Sequence, residues 1–307
     1  MSVRIEEMPQ ERLVTRNRVA ASVGYGSFTG LLAGLVGLGG AEERIPFLLY
    51  YLRLPLEDML VANLLISFAT SGLNFAVRIN GGVWSLNAAY VSAAMIVGSI
   101  PGAYVGALLS HRASKRTLRR FIALLLSFVI ARAVYGLIFV PGGSGQGTVS
   151  TLDLILSGIS GLGVGIIAGS AGVAGGEYRI PILTYLIGLP IKIAGTASQL
   201  ISLPTIAIAV WRHQRLGFLT RRSLVAAAML GIPSVVAASL TGFLVVGLPT
   251  LYVDLLFIAI LGFTIFRLLS ETSRKSGVEE SAASISAFPD RLGPPSRRFR
   301  PGDSSHS

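Results

Sequence analysis

Long apolar runs, separated by short polar stretches, dominate the chain. Val19–Gly40, Leu56–Val77, Trp84–Leu109, Phe121–Val140, Leu152–Ala174, Ile193–Trp211, Leu224–Leu248 and Tyr252–Leu269 are each about the length of a bilayer-crossing helix. None shows the strict apolar–polar alternation of a membrane β-strand, so helices are expected throughout. Two shorter apolar pieces, Ile45–Leu54 and Ile180–Leu189, hold about half the residues of a span. Each is bracketed by prolines, Pro46 and Pro55 in the first case, Pro181 and Pro190 in the second.

The polar positions add punctuation. Residues 1–18 form a charged tail, followed by no small-residue cleavage site, so the first apolar run is expected to stay as a helix. Asn80-Gly81-Gly82 is a turn signal, Pro101-Gly102 interrupts the third run, and residues 141–151 form a Gly-rich linker. The expected organisation is therefore a tail (1–18), a first membrane repeat (19–140), the linker, a second repeat (152–270) and a Ser-, Pro- and Arg-rich disordered tail (271–307).

A stretch written twice carries the chemistry. Gly30-Leu-Leu-Ala-Gly34-Leu-Val-Gly37-Leu-Gly39-Gly40-Ala-Glu42-Glu-Arg44-Ile-Pro46 recurs as Gly165-Ile-Ile-Ala-Gly169-Ser-Ala-Gly172-Val-Ala-Gly175-Gly176-Glu177-Tyr-Arg179-Ile-Pro181. The match continues through Tyr50/Tyr185, Leu54/Leu189, Pro55/Pro190, Ala62/Ala197 and Ser67/Ser202. Charged residues at a fixed distance from Pro, Tyr and Leu-Pro separate this from chance matching of glycine-rich sequence, so it reads as an internal repeat.

Composition supports the membrane reading. Of 307 residues, 52% are hydrophobic and 13% charged, with a mean hydropathy of +0.68; a soluble domain carries roughly a quarter charged residues. There is no Cys, hence no disulfide, thiol nucleophile or Cys-ligated metal. The net charge of +11 lies mainly in the N-terminal tail, residues 111–120, residues 212–222 and the region after Arg267. That placement argues for membrane topology rather than nucleic-acid binding, with both termini in the cytoplasm of a multi-pass inner-membrane protein. Counting crossings from these loops makes the two repeats inverted, with the short pieces as half-helices; Arg78, beside an external turn, is the one charge against this. The fold expected is an all-α polytopic membrane protein with two inverted repeats, broken helices and about 8–10 transmembrane segments.

Charge within apolar sequence must face a cavity or a partner. Arg44 and Arg179 each offer a planar fork of donors suited to an oxyanion, and a helix starting at Pro46 or Pro181 would add a positive end. Gly40, Gly175 and Gly176 would let backbone approach a ligand; Ser67 and Ser202, with Asn63, Ser198 and Gln199, are candidate lining residues. The alternative for each Arg is a staple to Glu42 or Glu177, which could also carry a coupling proton. Arg132, Asp254 and His213 are assigned no functional role, and Trp84 and Trp211 fit interfacial positions.

At these residues the chain resembles the TauE/SafE family of membrane permeases, the sulfite exporters. The likeness spans roughly residues 19–270 and rests on the paired glycine-rich helix, the Gly-Gly, the proline about six residues on, Leu-Pro and the small-polar helix. Glu-x-Arg between glycines and proline departs from the family pattern. The resemblance implies secondary transport of sulfite, an organosulfonate or a small organic acid. Its partners would be that anion, a proton or sodium as coupling ion, and the lipid bilayer; a homodimer is compatible with it. It calls for no cofactor, metal or catalytic residue. The rivals are a passive anion channel and a membrane enzyme acting on a lipid phosphate.

Overall fold

The structure is a computed structural model that describes residues 14–109, 149–171, 174–253, 255–257 and 259. The basic 111–120 stretch, the 121–140 span with Arg132, most of the linker, most of the 252–269 span including Asp254, most of the N-terminal tail and all of the C-terminal tail lie outside the described residues. The chain divides into a unit over residues 1–257 and a second over 258–307. The regular elements among the described residues all belong to the first unit.

Every one of those elements is a helix. They are α1 (Arg16–Val36), α2 (Ala41–Pro46), α3 (Leu56–Asn80), α4 (Leu86–Leu109), α5 (Thr151–Ala171), α6 (Gly176–Pro181), α7 (Ile191–Arg215) and α8 (Arg221–Gly247). α2 and α6 each continue into one wider π-helical turn, Phe47–Tyr51 and Ile182–Leu186. The six other helices are long and apolar enough to cross a membrane. The protein is thus an all-α, multi-pass membrane protein. The periodicity is kept in the fold: α1, α2, α3, the first π turn and the start of α4 all recur 135 residues later.

The first half folds as an uneven hairpin. α1 ends at Gly37, whose N–H bonds the Ala33 carbonyl at φ 90°, a conformation glycine adopts without a Cβ penalty. The chain then turns back along α1. Tyr25 donates to the Glu43 carbonyl at 2.7 Å, its ring stacks on Phe47 at 4.6 Å, and Arg18 lies over the Tyr51 ring. Residues 41–51 therefore run antiparallel to α1. Their 11 residues cover roughly 16 Å at helical rise, about half a bilayer core. The π turn packs Leu48 and Leu52 against Met59, Leu60 and Ile66 of α3 and Leu230 of α8.

Packing exchanges helices between halves. α1 lies along α8, and α5 along α4. Gly26, Gly30 and Gly34 meet the backbone near Leu230, Ser234 and Ala238 in turn, so α1 and α8 run parallel. Gly161, Gly165 and Gly169 meet Met95, Ser99 and Ala103 the same way, so α4 and α5 also run parallel. In a lipid-facing bundle such glycine faces give the close backbone approach that drives association. α3 follows α8 in parallel, through Ile66–Gly231 and Asn74–Gly242, but crosses α7 antiparallel, through Gly72–Leu203 and Arg78–Lys192.

Several elements differ from expectation. Pro101 does not interrupt its span: α4 is continuous from Leu86 to Leu109, and Gly102 sits against α5. Pro204 and Pro233 likewise lie inside α7 and α8. One missing N–H is tolerated when neighbouring helices compensate. Pro46 and Pro181 end their short helices rather than begin them. The helices start upstream, at Ala41 and Gly176, capped by Gly40 and Gly175 at φ 62° and 75°. The basic 212–222 stretch is mostly helical, with only residues 216–220 between α7 and α8.

Candidate anion site at the junction of the breaks

The breaks after α1 and α5 touch each other. A Cβ built on Gly39 would lie 3.0 Å from the Ala174 Cβ, and Gly176 sits directly against the Leu38 carbonyl. Gly37 rests on Gly195 of α7, where a Cβ would lie 2.8 Å from the carbonyl oxygen. Glycine is required here for close approach as well as for positive φ. Gly40 also packs tightly, with its Cβ position 2.8 Å from the Thr29 carbonyl of α1.

One turn into each short helix, Arg44 and Arg179 point back at the break of their own copy. Both are completely buried. Arg44 donates Nη2 to the Gly39 carbonyl and, at 2.8 Å, to Ser67 Oγ. Its Nε donates to Asn63 Oδ1 at 3.2 Å and its Nη1 to Ser234 Oγ of α8 at 3.1 Å. Asn63 in turn donates to the Ala41 carbonyl at 2.9 Å. Arg179 donates Nη1 to the Ala174 carbonyl at 2.6 Å and to Ser202 Oγ at 2.7 Å. Gly39 and Ala174 hold equivalent places in the repeat and touch. The two guanidiniums are therefore tethered to opposite sides of one junction.

Ser67 and Ser202 each bind the arginine of their own copy. Glu177 is buried in the first turn of α6; the side chain of Glu42 lies outside the described residues. Ser198 and Gln199 are buried on α7. Tyr50 is 68% exposed and stands away from the junction. Trp211 is half exposed beside Arg215, and Trp84 packs edge-on against Phe75.

Two buried groups change their reading. Arg78 is no loop charge: it is fully buried in the last turn of α3. Its Nη2 donates to the carbonyls of Gly34 and Leu35 at 2.7 and 2.9 Å. These are among the last carbonyls of α1, which lack helical partners. His213 is also buried, in the last turn of α7, with Nε2 3.4 Å from the Gly169 carbonyl of α5. The two residues are equivalent in the repeat, and each meets the end of its own broken helix. Both read as turn or loop residues in the sequence because Asn80-Gly81-Gly82 and the arginine cluster follow closely. Applying the 135-residue offset to Arg78 leads to His213, and that pairing is the available signal. Sequence reasoning misses Ser234 for want of any local motif, although it too has a partner at that offset, Ser99.

An all-helical bundle with two interrupted helices meeting around buried arginines defines a polytopic membrane protein with an internal polar junction. The profile of the sulfite exporter TauE/SafE family matches residues 2–133 and 157–300, and the chain belongs to that family. It is also 28% identical over 169 residues to a protein of Haemophilus influenzae called "Probable membrane transporter protein". That match covers 52% of this chain and 60% of the relative. No solved structure matches the chain.

Proposed function

We propose that this protein is a secondary transporter moving a small oxyanion, such as sulfite, an organosulfonate or an organic acid, across the inner membrane by alternating access. The observation that carries the reading is the pair of buried guanidiniums tethered across the junction of two helix breaks. A cation held in such surroundings is expensive unless it serves a partner or a passing ligand. Broken helices related by an internal repeat are where secondary transporters place their substrate. Reading the halves as inverted is supported by the antiparallel crossing of the equivalent helices α3 and α7, and by the exchange of α4 and α8 between halves.

In this reading α1–α3 and α5–α7 form two jaws whose breaks meet at mid-depth. Small rotations of one parallel helix group against the other would open the junction to one side and then the other. Glu177, buried in the first turn after the break, is the coupling candidate. A lipid-phosphate enzyme is disfavoured because, among the described residues, the hydrogen-bond acceptors around Arg44 and Arg179 are amide, hydroxyl and carbonyl oxygens.

The test is uptake by purified protein in proteoliposomes, using sulfite, taurine, methanesulfonate and acetate, with and without a proton or sodium gradient. Saturable uptake of at least one oxyanion, accelerated by one gradient, is the expected result. Uptake equal to protein-free liposomes for all of them would sink the transporter reading. A rate rising linearly with concentration and blind to both gradients would favour the channel.

A further inference from the structure

The two copies of the site are alike in sequence and unlike in bonding. Arg44 has its Nε, Nη1 and Nη2 all engaged, by Asn63, Ser234, Ser67 and the Gly39 carbonyl. Arg179 uses Nη1 alone. Its Nε and Nη2 are buried and have no hydrogen-bond partner among the described residues. Those two nitrogens form the side-on edge of a guanidinium, whose parallel N–H groups grip two oxygens of one carboxylate, sulfite or sulfonate.

Sequence explains the difference. Where the first copy has Asn63, whose amide oxygen occupies the Nε of Arg44, the second has Ser198. Serine has a shorter side chain than asparagine, and the Ser198 hydroxyl is itself buried without a partner among the described residues. It lies one turn before Ser202, which donates to the Ser198 carbonyl at 2.8 Å. Two orphaned donors and an orphaned hydroxyl thus stand in the second copy where the first is closed. Buried orphan donors of this kind are rare in native proteins and call for a partner.

Resting on the transporter reading above, we propose that the copies divide the work. Arg44 is a staple that holds the first break to α3 and α8. Arg179 is the anion receptor, presenting its Nε–Nη2 edge, with Ser198 as a further donor, to an oxyanion carrying two oxygens on one atom. A halide cannot bridge both N–H groups in the same way, so the site selects oxyanions over chloride.

The experiment measures ligand-dependent thermal stabilisation of the detergent-purified full chain with sulfite, methanesulfonate, acetate and chloride as probes. Wild type is expected to be stabilised by at least one oxyanion and not by chloride. Arg179→Lys keeps the charge and loses the fork, so the apparent Kd should rise about tenfold or more while the unliganded melting temperature changes little. Ser198→Asn rebuilds the first copy's closure and should weaken binding similarly without lowering that temperature. Arg44→Lys should lower the unliganded melting temperature and leave the apparent Kd within about threefold of wild type. Asn63→Ser provides the same comparison should Arg44→Lys not fold. Normal binding by Arg179→Lys and Ser198→Asn, with binding lost in Arg44→Lys or Asn63→Ser, overturns the division of labour and leaves the transporter reading standing. A wild type that responds to none of the oxyanions overturns both.

Discussion

Replacing Gly30 by alanine should separate helix packing from every other effect of a methyl group. A Cβ on Gly30 would lie 2.8 Å from the Ser234 Cα and carbonyl carbon of α8. Carbon atoms rest about 3.5–4.0 Å apart, so α1 and α8 must part locally by roughly 1 Å. Overpacking of this kind costs about 1–3 kcal/mol. Parting the helices also draws Ser234 Oγ from Arg44 Nη1, now at 3.1 Å, which adds about 1 kcal/mol.

The control is Gly24→Ala on the same helix. Its added Cβ would meet nothing within 4 Å. Both substitutions gain the same helix propensity, about 1 kcal/mol, and that term cancels in their difference. Gly30→Ala should therefore be less stable than Gly24→Ala by about 2–4 kcal/mol. Reversible unfolding in mixed micelles, titrated with a denaturing detergent, measures the difference. Equal stability within about 0.5 kcal/mol would refute the close-packed α1–α8 contact and, with it, the delivery of Ser234 to Arg44. Gly165→Ala should behave like Gly30→Ala, because its Cβ would lie 3.0 Å from Ser99 Cα of α4.

Arg78→Met should destabilise by about 2–4 kcal/mol, since it strips donors from the Gly34 and Leu35 carbonyls; the same unfolding assay reads it, and Arg78→His should recover part of the loss. Asp58→Ala should destabilise by about 1–2 kcal/mol, because Asp58 Oδ1 accepts the Thr220 hydroxyl at 2.5 Å and so ties α3 to the cap of α8. Tyr25→Phe should lose about 1 kcal/mol with the bond to the Glu43 carbonyl, and an unchanged unfolding midpoint would show that this hydroxyl bond does not hold the returning segment.

The membrane class, the repeat and the two broken helices are legible because they are written in one-dimensional signals. Apolar length marks the spans, and Glu-x-Arg-Ile-Pro at a constant offset marks the breaks. Where the short helices begin is less legible. Proline suggests a helix start at Pro46 and Pro181, yet Gly40 and Gly175 can adopt positive φ and start the helices five residues sooner, at Ala41 and Gly176. Pro101 misleads for a related reason: the glycine face around it, Gly98, Gly102 and Gly106, allows a close helix neighbour that no local rule shows.

The site is half legible. Arg44 and Arg179 stand out as charges in apolar sequence, and Ser67 and Ser202 as their matched companions. What sequence does not show is the bonding that makes the copies differ. The reach of Asn63 against Ser198, and the arrival of Ser234 from the other half, are decided by packing between helices far apart in the chain. Arg78 and His213 are hidden by the turn signals after them, although burial makes them part of the helix ends rather than of the loops.

The most direct test is to locate an anion in the folded protein. Selenite, an oxyanion whose selenium scatters anomalously, would be added to crystals of the full chain and its position read from the anomalous map. The result expected is one site at Arg179, beside Ser198, with two oxygens within hydrogen-bond distance of Arg179 Nε and Nη2. Selenium found only at the surface, with both arginines bonded solely to protein groups, would contradict the placement of an anion site at the junction of the breaks.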